Sequence, residues 1–311
     1  MLLAQTLRVL DPRPGQVVVD CTIGRGGHSG ALSQAVGEEG TVVGFDVDPD
    51  ALAFAGRLLR DAPARFEPIR DNFVRVPHHL RRLGLRADAV LADLGFSSQQ
   101  MSDPQRGLSF SADGPLDMRL DPQGPTTARE LLATLPEPDL AELLHLYGED
   151  PLARRIARKI VQARDREPIV STEQLAALVV EAYGWRARRS RMHPATRTFM
   201  ALRIAVNEEL TALGALLDNI ADEGAGSPET GWLAAGARIA IISFHSLEDR
   251  LVKRAFAGLE DRGAAERLNT RPIIAGDDEV ASNPRARSAK LRAVRLHLGR
   301  QELPLDALRQ R

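Results

Sequence analysis

The chain of 311 residues holds one cysteine, two tryptophans and two tyrosines, and only 4% of it is aromatic. A lone cysteine, Cys21, excludes an intramolecular disulfide framework and a structural zinc site built on cysteines, and it fits a reducing compartment. No apolar run approaches the roughly 18 uncharged residues that a membrane span requires. The opening "MLLAQTLRVLDPRPG" reads as a short helix ending at Asp11-Pro12, without a basic leader or cleavage site. These absences predict a cytoplasmic globular protein. Neither sign of charge dominates, so the total says nothing about partners. Its distribution says more. Residues 1–150 carry 14 basic and 22 acidic side chains, residues 151–203 carry 12 and 4, and residues 285–300 add six basic ones. A basic middle and tail on an acidic frame fit a polyanion held on one face, and solvated arginine-rich helices give the same pattern.

What is present is a regular alternation. Four apolar runs, at 16–20, 41–46, 66–70 and 87–93, are separated by helical segments such as 50–60 and 72–83. Strands alternating with helices predict an α/β fold with a parallel sheet built from right-handed crossovers. Residues 101–125, rich in Gly, Pro and Asp, predict a long ordered loop of the kind that is usually functional. From 127 to about 217, apolar spacings of three and four predict helices only. Ser171 with Gln174 predicts a capping box, and Gly148 and Gly184 predict helix ends. Strand character returns at 237–243, a helix follows over 246–257, and "SAKLRAVRLHLG" predicts a last, more exposed strand. Residues 260–287 read as a flexible or extended arm. The predicted organisation is an α/β domain in two parts, 1–105 and 209–311, around an inserted helical substrate-recognition domain, 106–208.

The stretch "VVVDCTIGRGGHSG" ends its strand on a carboxylate and enters a glycine cluster. Glycines here let backbone N–H groups approach a ligand at a helix N-terminus. A dinucleotide fingerprint needs three glycines; Gly24 and Gly26 fill two places and Ser29 the third. Asp20 is badly placed beside a pyrophosphate and well placed beside an ammonium group. The pattern favours S-adenosylmethionine, a nucleoside carrying an amino acid. Asp46, at the second strand's end, suits the ribose hydroxyls, whereas its competitor Asp48 can cap the next helix. Asp71, Asn72 and Phe73 suit adenine, and Asp93 closes the fourth strand at the same carboxyl edge.

The blocks "DCTIGRGGHS", "GFDVDPDAL", "LADLGFSSQQMSDPQRGLSF", "DGPLDMRLDP", "HPATRTFMALRIAVNEEL", "IISFHSLEDRLVK" and "NPRARSAKLR" run in order from 20 to 292. On them the chain resembles the bacterial small-subunit (16S) ribosomal RNA cytosine-N4 methyltransferases. The resemblance implies a class I, Rossmann-like methyltransferase fold with a helical insert, acting on a cytosine of the decoding centre in 16S rRNA of the small subunit. It implies cofactor contacts at Gly26, Gly27, His28, Asp46, Phe73, Asp93 and Gln100. Three departures stand out: the family's "H-x-P-V" start is absent, Gln99 replaces a proline, and Phe96 stands where valine or isoleucine is usual. The missing start is expected to weaken RNA or cofactor binding.

Cytosine's exocyclic amine is a poor nucleophile, so acceptors on its hydrogens and a carboxylate for the developing charge assist transfer. "DLGF" occupies the place of the D/N-P-P-aromatic motif of amino-methyltransferases without its prolines. Asp93 is expected to touch both cofactor and target amine, with Leu94 and Gly95 offering carbonyls. Phe96 is expected to stack on the base, or to be core. In the "HPATRTF" segment, Phe199, Leu202, Val206, Leu210, Leu213 and Leu217 form one helical stripe. Arg197, Arg203 and Asn207 are the candidate RNA contacts there, as are Arg285 and Arg287 in "NPRARSAKLRAVR". Ser246 with Asp249 reads as a capping box, and His245, at the fifth strand's end, is a candidate catalytic residue. No metal site is expected, and the oligomeric state is open between monomer and homodimer. The rival readings are a DNA amino-methyltransferase, a non-catalytic ribosome-assembly factor that binds the cofactor, and a nicotinamide oxidoreductase.

Overall fold

The computed structural model describes residues 1–190, 192–225 and 231–297. The chain forms two compact units, one of Met1–Gly95 with Thr211–Arg311, the other of Phe96–Leu210. In the first unit, α1 (Leu3–Leu10) precedes β1 (Val17–Asp20), α2 (Gly27–Val36), β2 (Thr41–Asp46), α3 (Pro49–Leu58), β3 (Arg65–Arg70), α4 (Val76–Leu83) and β4 (Ala87–Asp93). The second unit holds α5 (Ser98–Ser102), α6 (Ala128–Thr134), α7 (Glu137–Gly148), α8 (Ala153–Arg164), α9 (Thr172–Tyr183) and α10 (Ala195–Val206). The chain returns through α11 (Glu209–Ala225) to β5 (Leu233–Ser243), α12 (Ser246–Asp261), β6 (Ala265–Arg267), β7 (Ile273–Ile274), α13 (Asp277–Ser282) and β8 (Lys290–Leu296).

The sheet runs β3-β2-β1-β4-β5-β8-β6, with β7 also paired to β8. Its first five strands are parallel, and β8 is antiparallel to β5, β6 and β7. This is a doubly wound, Rossmann-like sheet of the class I methyltransferase kind. Strand order reverses between β1 and β4, and such a switch point opens a crevice at the strands' carboxyl ends. Side chains alternate between faces with period two. Val18, Val42, Leu91 and Ile242 join a cluster with Leu32 and Val36 of α2. Their neighbours Val19, Val43, Val90 and Ile241 join another, with Leu213 and Leu217 of α11 and Phe256 of α12. Because both faces are covered, the strands read as unbroken apolar runs.

Two expectations for the C-terminal part need correction. β8 is an interior strand, not an exposed one: Leu291 through Val294 are all buried between β5 and β6. The segment 260–287 is not an arm, because it supplies β6, β7 and α13, and β6 and β7 both pair with β8. Arg292 of β8 is 7% exposed and donates to the Asp249 carboxylate of α12 at 2.7 and 3.2 Å. The end of the basic tail, 298–300, lies outside the described residues.

The second unit runs from Phe96, which packs against its core, and Leu108, Leu116 and Met118 of the long loop are buried in that core. Capping boxes start α6 (Thr127 with Glu130) and, as expected, α9 (Ser171 with Gln174). Helix α7 ends at Gly148, where an added Cβ would stand 2.9 Å from the Arg197 carbonyl oxygen of α10. The apolar stripe expected on one helix is divided. α10 stops at Val206, Glu208 takes a positive φ of 50°, and α11 begins anew. Phe199 and Leu202 therefore serve the second unit's core, and Leu213 and Leu217 the first's.

Asn207 holds this break in place. Its carboxamide accepts from the Leu120 N–H at 2.7 Å and donates to the Met118 and Arg203 carbonyls, each at 2.8 Å. It thus ties the long loop to the end of α10. Replacing Asn207 with Ala leaves those partners unmatched and should destabilise the protein by about 2 kcal/mol. Urea unfolding reads this directly, and an unchanged midpoint would remove Asn207 from that role.

Candidate active site

Asp20, the last residue of β1, is 1% exposed. Its carboxylate accepts from the Ser29 hydroxyl at 2.6 Å and the Thr22 N–H at 3.2 Å. Burial raises its pKa to about 6 against the pull of those two bonds. Ser29, read in sequence only as a missing glycine, is the residue that satisfies this buried acid. A hydroxyl nine positions after a strand-end carboxylate, in a helix's first turn, was the available signal. Gly24 and Gly26 take positive φ values of 50° and 75°, which residues with a Cβ rarely adopt. Gly26 precedes α2, and Gly27 opens it with no atom within 4 Å of where a Cβ would stand. The space beside Gly27, at the positive end of α2, is therefore open to a ligand.

Asp46 ends β2 and accepts from the N–H groups of Gly24 and Asp48, both at 2.9 Å. These bonds fasten the glycine turn to the second strand, and burial raises the Asp46 pKa. Asp48 caps α3 through the Asp50 N–H, as its sequence position indicated. Beyond β3, Asp71 accepts the Asn72 N–H at 2.8 Å and lies 2.8 Å from His79 Nε2, and Asn72 accepts from Val74 N–H at 3.0 Å. These two residues thus have local turn duties, which leaves Phe73, half-buried against the first unit's core, as the adenine candidate.

Asp93 ends β4, the strand beside β1 at the switch point. Its N–H donates to Thr22 Oγ1 at 2.7 Å. One carboxylate oxygen, Oδ1, is buried without a partner, and Oδ2 lies 3.7 Å from His28 Nδ1. Burial raises the Asp93 pKa to about 7 against the pull of the Met1 ammonium, with the charges of Asp20 and Glu248 adding to the rise. His28 Nε2 donates to the Met1 carbonyl at 2.9 Å, so the neutral ring presents a bare Nδ1 toward Asp93. Burial lowers the His28 pKa to about 4, which keeps the ring neutral. Asp93 Oδ1 and His28 Nδ1 thus both keep acceptor capacity here, close to the Met1 ammonium that acts on both groups. A cationic donor such as an ammonium group fits that arrangement, with three N–H bonds to give.

His245 is a correction. It is the N-cap of α12, in a capping box with Glu248 and not the expected Ser246–Asp249 pair. Its Nδ1 accepts from the Glu248 N–H at 3.5 Å and its Nε2 lies 3.2 Å from Glu248 Oε1, while Glu248 accepts from the Phe244 N–H at 2.8 Å. Asp249 is engaged by Arg292 and Lys290 instead. The cap gives the strand-end histidine a structural duty at Nδ1, and its Nε2 is buried without a hydrogen-bond partner.

In the second unit, Gln100 accepts from the Ser97 N–H at 2.8 Å in the capping box of α5. Phe96 is half-buried against that unit's core, with the Arg203 guanidinium 4.8 Å from its ring centre. Arg203 is in turn gripped by both carboxylate oxygens of Glu209, at 2.7 and 2.8 Å. Arg203 and Asn207, expected as RNA contacts, are thus engaged inside the unit. Arg197 donates to the Glu149 carbonyl from an exposed position. Arg287 is exposed in a single turn at Pro284–Ser288, and Arg285 is half-buried there. Among the described residues no helix is long and apolar enough to cross a membrane.

Residues 1–297 match the MraW methylase family. A protein of Solidesulfovibrio magneticus named ribosomal RNA small subunit methyltransferase H is 46% identical over 94% of this chain and 94% of its own. One of the same name from Sorangium cellulosum is 47% identical over 94% and 88%. Among solved structures, Aeropyrum pernix fibrillarin in complex with S-adenosyl-L-methionine aligns over 94% of this chain and 73% of its own, at 14% identity and a TM-score of 0.40.

The raised carboxyls have a consequence for stability. Each binds its proton more tightly folded than unfolded, so its contribution is complete below the ordinary carboxylate value of 3.8. It is lost as pH rises through about 6 for Asp20 and about 7 for Asp93. The unliganded protein should therefore lose stability between about pH 4 and 7, and Asp93→Asn should flatten that slope. Urea unfolding across this range checks it; parallel profiles for the two proteins would contradict it.

Proposed function

The chain belongs to the MraW methylase family, and from that premise we propose that it methylates the exocyclic N4 amine of a cytosine in 16S ribosomal RNA of the small subunit. The methyl donor is S-adenosylmethionine. When bound, it supplies a methyl group on a positively charged sulfur. The decoding centre is the location that the motif resemblance favours, and the bacterial cytoplasm is where that substrate is found.

The observation that carries this reading is the unpartnered, buried Oδ1 of Asp93, beside Asp20 and the bare Nδ1 of His28. Asp20 and Asp93 would face the donor's ammonium group, and ionise as they do so. The glycine turn at Gly26 and Gly27 would line the amino-acid moiety, Asp46 would accept from the ribose, and Phe73 would offer a ring to adenine. Asp93, with the carbonyls of Leu94 and Gly95, would accept from the target amine as its lone pair leaves conjugation, and meet the charge that develops there. Phe96 would stack on the base, which must be unpaired or flipped out of its helix. Once formed, the product ammonium releases its proton readily, so general-base catalysis is a minor contribution.

Small subunits from cells lacking this protein, incubated with labelled S-adenosylmethionine, test the reading through nucleoside mass spectrometry. N4-methylcytidine should appear in small-subunit RNA and not in large-subunit RNA or duplex DNA. Asp93→Ala should lower the rate by at least about a hundredfold, in the range of removing one preorganised transition-state contact. Donor binding without any methylated nucleoside would point to an assembly role.

A further inference from the structure

The second unit carries an aromatic feature that none of the roles above uses. Helix α9 ends at Gly184, whose positive φ of 58° turns the chain out of the helix. Just before the turn, Tyr183 is anchored inward, its hydroxyl donating to the buried Asp150 carboxylate at 3.0 Å. Just after it, Trp185 is left 63% exposed, in a chain with only 4% aromatic residues. An indole offers up to 250 Å² of apolar surface, and leaving it in water is costly unless something covers it. Two guanidinium groups flank the ring, Arg186 at 5.1 Å and Arg189 at 5.3 Å from its centre. Arg188 belongs to the same turn, and a Cβ on Gly184 would stand 3.8 Å from an Arg155 guanidinium nitrogen. All four arginines are exposed, and among the described residues no carboxylate forms an ion pair with any of them. This is a different arrangement from Arg203, whose charge is met by Glu209.

We propose that Trp185, framed by Arg155, Arg186, Arg188 and Arg189, is a stacking platform for an unpaired nucleotide of the RNA substrate, with the arginines holding its flanking phosphates. The proposal rests on the RNA reading above. A base and a phosphate are what this pair of chemistries recognises together: every base has a face that stacks on an aromatic ring, and unpaired guanidinium groups attract the backbone. A duplex fits less well, because its bases are already stacked on one another. The platform also gives a second hold on RNA outside the methyl-transfer chemistry, where contacts set affinity and register.

Fluorescence tests this on the whole protein. The chain has two tryptophans, and the other, Trp232, is 0% exposed in the first unit's core. Quenching of the solvent-exposed emission therefore reports Trp185. A short single-stranded RNA should quench it in a salt-dependent manner, and the same sequence as a duplex should not. Trp185→Phe should abolish the quenching while keeping most of the affinity. Trp185→Ala should weaken single-strand binding about tenfold and raise KM for small subunits by a similar factor. Single-strand binding that leaves the exposed emission unchanged overturns the proposal. So does a Trp185→Ala protein with wild-type RNA affinity. If subunit affinity falls in Trp185→Ala while free RNA neither quenches nor discriminates, the surface docks a ribosomal protein instead, and the proposal fails. Wild-type protein that transfers no methyl group to subunits would sink the function reading alone, because the oligonucleotide titration decides the platform separately.

Discussion

Two carboxylates on neighbouring strands, Asp20 buried and Asp93 half-buried with one oxygen shut off from water, set the constraint around which the first unit is arranged. The reversal of strand order between β1 and β4 brings the ends of those strands together, and each ends in an aspartate. Buried carboxylates are costly unless they are neutral, hydrogen-bonded or paired. Asp20 is met by Ser29 and Thr22, but Asp93 keeps an oxygen with no partner at all. The unliganded protein accommodates both by holding them closer to neutrality. A cation entering the crevice relieves the same strain by pairing with them. The affinity of such a site is built from a cost that the empty fold already bears.

The surroundings make that cost tolerable. Both faces of the sheet are sealed by helices, so β1 and β4 cannot shift to hydrate their ends. Asp46 ties the glycine turn to β2, and Thr22 ties Asp93's backbone to the loop after β1. These bonds fix the turn in the conformation that only glycine at 24 and 26 permits without strain. Sheet, turn and acids form one rigid arrangement, suited to a reaction in which preorganised acceptors matter more than moving parts.

The inserted unit follows a different logic. Its core is made by helices together with a long loop that has little regular structure, and that loop keeps its shape through side chains reaching from elsewhere. Asn207 holds Met118 and Leu120, and Thr172 accepts from the Gly114 N–H at 3.0 Å. Arg203 is clamped by Glu209 and lies over the Phe96 ring. Polar residues that look like ligands for RNA are here the mortar of the unit. The arginines around Trp185, which no carboxylate of the described residues neutralises, face outward.

The strands β1, β2 and β4 were legible because strands buried on both faces need unbroken apolar runs, a local property; the edge strand β3, with no buried residue, was legible through its place in the alternation. The acid-and-glycine turn was legible for a similar reason: positive φ and a strand-ending carboxylate are written into adjacent residues. Asp20, Gly24, Gly26, Asp46 and Asp93 could be named from that pattern, and family motifs added His28 and Gln100. What could not be read depended on partners distant in the chain. The last strand, expected to be more exposed, is interior because Asp249, 43 residues away, neutralises Arg292 and β6 covers its far side. His245 was a catalytic candidate because of its place at the fifth strand's end; that it also caps α12 depended on the helix that follows. The stripe from Phe199 to Leu217 kept perfect helical spacing, yet the backbone broke at Glu208 to serve two cores. Sequence by itself determined which residue types met at the strand ends, because that chemistry is local. Only the tertiary structure decided which polar groups were already satisfied, because a hydrogen bond or ion pair depends on distance in space and not along the chain.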